Sequence, residues 1–201
     1  MPCIPFGKYI IQFFLPGYIT ANGFCAQLGL YHYTRSNIVR IFKFDLLIHL
    51  FRKANFIITP FDDSRENDVE ILRQLATEIG AGKIVVTSPE NHDKMIAYTS
   101  QLAHIVSSAY VKSPELGLEC GFSGGSFQDM TRIATMNEKM WTDLFMQNRE
   151  HLQYELDTLI SNLLKYSEAL KNADSEEMRS LIAEGRELKE ENLRHRVGQP
   201  N

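Results

Sequence analysis

The sequence predicts a mostly α protein: an all-helical half preceded by an incomplete α/β fragment. Three observations carry that expectation. One strand–helix–strand pattern, and no more, begins at Lys53. Beyond Ser88 the apolar residues recur at helical spacing almost to the end of the chain. Composition also breaks sharply near Lys53. Residues 1–52 hold five Lys/Arg and one acid, Asp45, whereas the remainder holds 16 Lys/Arg and 24 Asp/Glu. The formal charge of −4 is therefore a cancellation of +4 against −8. Eleven of the 20 Phe and Tyr lie in those first 52 residues.

Residues 9–19 form the most apolar run, interrupted by Pro16-Gly17. A bilayer span needs roughly 20 residues, so this run is too short to cross one. No small-residue cleavage site follows Lys8, which makes it a weak signal peptide. It reads as an irregular aromatic segment packed on the body of the protein. Residues 39–51 are a second apolar run, compatible with either a helix or a buried strand.

Asn55-Phe-Ile-Ile-Thr59 is a compact β-branched strand that ends at Pro60. A polar turn follows. Residues 68–79 then read as a helix with Val69, Leu72, Leu75, Ala76 and Ile79 on one face, stopped by Gly80-Ala-Gly82. Lys83-Ile-Val-Val-Thr87 is a second strand. A βαβ unit belongs to a larger parallel sheet and cannot cover its own faces, so other strands must complete it.

Ser88 or Asn91 can cap a helix running to about Lys112, with Met95, Tyr98, Leu102, Ile105, Val106 and Ala109 as its apolar face. Ser100, His104, Ser107 and Ser108 make a second, small and polar face on which a ligand would find room. Residues 113–127 are rich in Gly, Ser and Pro and read as a loop. In the run Phe127-Gln-Asp-Met-Thr-Arg-Ile-Ala134, Asp129 and Arg132 share a helical face as an i,i+3 pair. Spacing alone favours a solvated surface pair over an arginine held for a carboxylate. One long helix is expected from about Glu138 to Leu170. Phe145, Leu152, Leu159 and Tyr166 form one row on it, and Leu156, Leu163 and Leu170 a second. Asp174 caps a final helix lined by Met178, Leu181, Ile182 and Leu188, and residues 194–201 read as a polar tail. The two long apolar faces exceed what one small helical half needs, which predicts a helical homodimer interface.

The acidic balance argues against nucleic acid as a partner. Cys3, Cys25 and Cys120 form no CxxC pair, so neither a zinc site nor a disulfide framework is expected. A reducing, cytoplasmic setting fits best. The chain contains no G-x-G-x-x-G and no Walker A sequence, and Gly121-Phe-Ser-Gly-Gly125 has the wrong spacing for a dinucleotide loop.

Residues 88–104 and the run 124–134, followed by Trp141, together resemble the prephenate dehydrogenase family in order, spacing and helical context. The resemblance spans about Lys53 to Asn192 and divides the chain into four. Residues 1–52 are unmatched, and 53–88 are a remnant of a Rossmann-like nucleotide domain. Residues 89–193 are the helical dimerisation domain, and 194–201 the tail. The resemblance implies oxidative decarboxylation of prephenate to 4-hydroxyphenylpyruvate with NAD or NADP, in tyrosine biosynthesis. It also implies a homodimer that binds prephenate or a tyrosine-like acid. Arg132 falls on the family's carboxylate-binding arginine, Asp129 on the acid of the same motif and Trp141 on its tryptophan. His104 falls on the second histidine of a Ser-His-Leu-Pro-His run. These positions would offer cationic and donor groups to a dianion. Gln101, which replaces the first histidine of that run, is by the resemblance expected among the substrate-binding residues, and Ala103 replaces its proline. The glycine fingerprint and the catalytic His-Pro segment have no counterpart, since neither His32 nor His49 precedes a proline. Little or no dehydrogenase activity is therefore expected of these 201 residues alone. The alternative is a non-catalytic dimerisation or aromatic-acid-binding module.

Overall fold

The structure, a computed structural model, describes residues 4–6, 9–14 and 54–197. The expected apolar run at 39–51, with His32 and His49, lies outside them, as do residues 198–201.

Four strands form one sheet in the order β1-β2-β3-β4: β1 Ile4–Phe6, β2 Tyr9–Phe14, β3 Asn55–Pro60 and β4 Lys83–Val86. β3 and β4 are parallel, with Phe56 opposite Ile84 and Ile58 opposite Val86. The crossover between them is α1, Glu66–Glu78. Gly80, at φ 78°, turns the chain out of this helix, and the Ala81 N–H closes on the Ala76 carbonyl at 2.9 Å. Phe56, Ile58, Leu72 and Ala76 are buried together between sheet and helix. This is the predicted βαβ unit. The segment expected to be irregular is in part a strand: β2 pairs antiparallel with β3, Tyr9 opposite Pro60 through Phe14 opposite Asn55, and β1 pairs antiparallel with β2. β-Branched and aromatic residues at 9–14 suit a pleated ladder. The missing strands on that edge are thus supplied from the unmatched end of the chain, in the orientation opposite to a parallel sheet.

Only Thr87 and Ser88 separate β4 from the first helix of the second half, α2, Pro89–Ile96. Both are tied down. The Thr87 N–H donates to the Ile58 carbonyl (3.0 Å), and Asn91 Nδ2 donates to Thr87 Oγ1 (2.7 Å). Ser88 Oγ accepts from the Asn91 N–H at 3.2 Å, so Ser88 rather than Asn91 is the cap, with Pro89 at the first helical position.

The helix predicted to run to about Lys112 is interrupted by a π turn, Ala97–Gln101, before α3, Leu102–Tyr110. The expected loop at 113–127 holds a 3₁₀ turn, Pro114–Leu118, and the start of α4, Gly125–Thr131. The expected single long helix is two. α5 spans Glu138–Gln147 and α6 spans Arg149–Lys171, broken at Asn148 (φ −114°, ψ 28°). The break is stabilised from outside the helix, because the Asn148 side chain bonds to α2 and the π turn instead of to its own backbone. α7 follows at Ser175–Val197, four residues into the tail predicted from Arg194. Asp174 caps it as expected, its Oδ1 accepting from the Glu176 and Glu177 N–H groups at 3.1 and 3.0 Å.

The second core joins Ala97 and Leu102 to Leu152, with Ile105, Val106, Phe145, Leu156 and Leu159 packed around them. The inner half of the predicted leucine rows is therefore intramolecular. The outer half is not: Leu163 and Leu170 on α6 are exposed, as are Leu164, which lies outside the predicted rows, and Ile182 and Leu188 on α7. Tyr166 crosses between these helices, donating to the Leu181 carbonyl at 3.1 Å.

Candidate functional site

The π turn brings Ser100 and Gln101 into the interior, and both are buried. One turn later, His104 Nδ1 lies 2.9 Å from the Ser100 carbonyl oxygen. A carbonyl only accepts, so Nδ1 carries the hydrogen and the lone pair of the neutral ring sits on Nε2. α5 brings Trp141 across this ring. The centroids are 3.8 Å apart and the planes are inclined by 29°. Phe145, one turn on from Trp141, backs the indole at 5.4 Å. Burial under these rings pushes the His104 pKa below its ordinary value, against the opposing pull of the Ser100 carbonyl. The imidazole is therefore neutral near pH 7. This corrects the expectation of a cation or donor: His104 presents an acceptor at Nε2, suited to a hydroxyl or ammonium proton.

Gln101 does not offer its amide freely. Its Nε2 donates to the Leu144 carbonyl at 3.3 Å, and its Oε1 accepts from Asn148 Nδ2 at 2.9 Å. Asn148 Nδ2 also donates to the Asp93 carbonyl at 2.8 Å. Gln101, expected among substrate-binding residues, thus lies between helices, and Asn148 is a site residue that periodicity did not point to. The only sequence signal for it is a poor helix former in an otherwise apolar helical repeat.

α4 is held to α3 by Tyr110 and Phe127, whose centroids are 6.0 Å apart. Asp129 and Arg132 are exposed, and no hydrogen bond or ion pair engages either side chain among the described residues. The i,i+3 pair expected from spacing does not form. Arg132, at the C-terminal end of α4, keeps its full fork of donors for an anion. His104 and Trp141 are brought together, and among the described residues no hydrogen bond or ion pair links Asp129 or Arg132 to them.

A dinucleotide site does not fit the described residues. In the turn from β3 to α1 the Phe61 N–H donates to Ser64 Oγ (2.9 Å) instead of being free for a phosphate. Glu66 and Asp68 put negative charge in the first turn of α1, where a pyrophosphate would otherwise be favoured. No group of His, Cys, Asp and Glu among the described residues is arranged to hold a metal ion.

The fold is that of a helical domain preceded by a small α/β unit. Residues 88–184 match the family described as prephenate dehydrogenase, dimerization domain. Cyclohexadienyl dehydrogenase of Zymomonas mobilis is 31% identical over 134 residues, covering 63% of this chain and 45% of that protein. Prephenate dehydrogenase of Bacillus subtilis is 30% identical over 134 residues, covering 64% and 36%. The structure of prephenate dehydrogenase from A. aeolicus in complex with hydroxyphenyl propionate and NAD+ superimposes with a TM-score of 0.59 at 25% identity, over 72% of this chain and 51% of that one. Residues 88–184 thus carry the dimerization domain of the prephenate dehydrogenase family, and the chain is similar to these relatives over that part. It spans less than half the length of these curated relatives.

Proposed function

We propose that this chain serves a prephenate dehydrogenase-like oxidoreductase of tyrosine biosynthesis, as its helical, aromatic-acid-binding and dimerising half. The observation that supports this most is the stacked His104–Trp141 pair inside the matching domain. In the reaction proposed, hydride passes from the hydroxyl-bearing ring carbon of prephenate to NAD or NADP, and carbon dioxide leaves as the ring becomes aromatic. This half would contribute binding and orientation. The indole gives an apolar wall for the ring. His104 Nε2 can accept the hydroxyl proton's hydrogen bond. Arg132, and Asp129 beside it, would meet the carboxylate end, the arginine through its two parallel N–H groups.

With no glycine fingerprint in its 201 residues, the isolated chain is expected to turn over little or no prephenate. The purified chain, incubated with prephenate and NAD or NADP, is followed by absorbance of the reduced cofactor. Sustained turnover would show that a cofactor site is present after all. A second reading, a non-catalytic dimerisation or aromatic-acid-binding module, is favoured by the acidic first turn of α1. Calorimetry with tyrosine and 4-hydroxyphenylpyruvate tests the part common to both. Arg132→Ala should weaken binding about tenfold or more, the worth of one charge-assisted contact. Unchanged affinity would remove Arg132 from the site.

The exposed leucines of α6 and α7 support a homodimer through the helical domain. Among the described residues no helix is long and apolar enough to cross a membrane. A cytoplasmic setting remains part of this proposal, resting on the cysteine pattern.

A further inference from the structure

Besides the packing of Phe145 on the second core, two specific contacts join α5 and its C-terminal Asn148 to the α2–π–α3 helix. One is the Trp141–His104 stack. The other is built from amides. Leu144 and Asn148 lie one and two turns beyond Trp141, and Gln101 lies one turn before His104. The Leu144 carbonyl is in the last turn of α5, where helix carbonyls lack an internal partner, and Gln101 Nε2 supplies one. Asn148 Nδ2 spends both hydrogens, on Gln101 Oε1 and on the Asp93 carbonyl. Gln101 is 5% exposed, so water does not compete for its amide. Each bond joins residues more than 40 positions apart, so none follows from local helix geometry. A ring stack alone fixes spacing but leaves sliding and rotation soft. A second, directional contact between the same two elements removes that freedom.

We propose that Gln101 and Asn148 are positioning residues for the His104–Trp141 pair: their amide clamp sets how the indole lies on the imidazole. The clamp acts whether or not an aromatic acid binds, so its test needs no ligand and its failure would leave the proposed function standing.

Trp141 is the only tryptophan of the chain and reports on the stack directly. A protonated imidazole in contact with an indole quenches its emission. In the full-length chain, acid should quench Trp141 with a midpoint below the ordinary histidine value of about 6.5. Among the described residues no ion pair engages His104, and its ring is met by the Ser100 carbonyl and by Trp141. His104→Phe keeps a stacked ring and should abolish the transition, which assigns it.

Gln101→Leu and Asn148→Ala should each shift Trp141 emission to the red and raise the midpoint toward about 6.5, as water reaches the loosened rings. Tyr166→Phe, which removes a hydrogen bond elsewhere in the helical half, should lower the melting temperature and leave both optical readouts unchanged. Should Gln101→Leu or Asn148→Ala fail to fold, Gln101→Met decides by the same readouts. It is uncharged, close in volume and loses both amide bonds, so shifts in the same directions are expected. Wild-type emission and midpoint in folded Gln101 and Asn148 variants would overturn the proposal. So would equal shifts in Tyr166→Phe, because the clamp would then be one stabilising contact among others.

Discussion

His104 illustrates what a single residue's surroundings decide. Its type and place on the small polar face were readable from the sequence, but its charge was not. The resemblance suggested a donor for a dianion. Burial under the Trp141 ring keeps it neutral, and the Ser100 carbonyl holds the hydrogen on Nδ1, which leaves Nε2 as an acceptor. The sign of the pH effect follows. The folded-state pKa lies below the unfolded value of about 6.5, so the unfolded chain binds the proton more readily. His104's share of stability is fully present above about pH 6.5 and is lost as pH falls through the lowered folded value. Urea unfolding at a series of pH values should show this acid-side loss, and His104→Phe should flatten it. Gln101 carried an even weaker signal. A glutamine in a helical stripe says nothing about partners 43 and 47 residues away.

At the scale of elements, helices with local causes were legible and those with tertiary causes were not. Asp174 caps the helix it was expected to cap, and Ser88, one of two residues offered for its helix, caps that one, because a side-chain oxygen and a free N–H need only three residues to meet. Asp174→Ala should cost about 1 kcal/mol, measured by thermal unfolding. The βαβ unit was equally plain from its β-branched runs and Gly80. The π turn and the break at Asn148 were invisible, since each is stabilised by groups on another helix. The leucine repeat crosses Asn148 undisturbed in the sequence, which is why one helix was expected there. Leu152 sits just past that break and is 5% exposed in the second core. Leu152→Ala should destabilise by roughly 2–5 kcal/mol, and a loss under about 1 kcal/mol would mean that this cluster is not a core.

For the whole molecule, composition marked the discontinuity near Lys53 but misjudged what lies before it. Charge and aromatic counts cannot reveal that residues 4–6 and 9–14 add two antiparallel strands to the β3 edge. The helical half was legible to the extent that its apolar rows serve two purposes. The inner residues pack α6 on α3, and the outer ones, Leu163 and Leu170, stay exposed with Leu164 beside them and Leu188 on α7. Burying such a face in a second copy removes it from water. Sedimentation should find a dimer, and Leu163→Glu with Leu164→Glu should yield a folded monomer. A monomeric wild type would refute that assignment.

The two-residue passage from β4 to α2 has a mechanical meaning. Thr87 is bonded back to β3 and forward to α2, and Ser88 is spent as a cap. Such a joint transmits torque rather than absorbing it. Any rotation of the sheet unit would lever α2 and, through the Asp93 carbonyl and Asn148, tug on the helix that carries Trp141. A protease searching for a loose tether between the two halves should likewise find none at Thr87–Ser88, and brief digestion should leave that bond uncut.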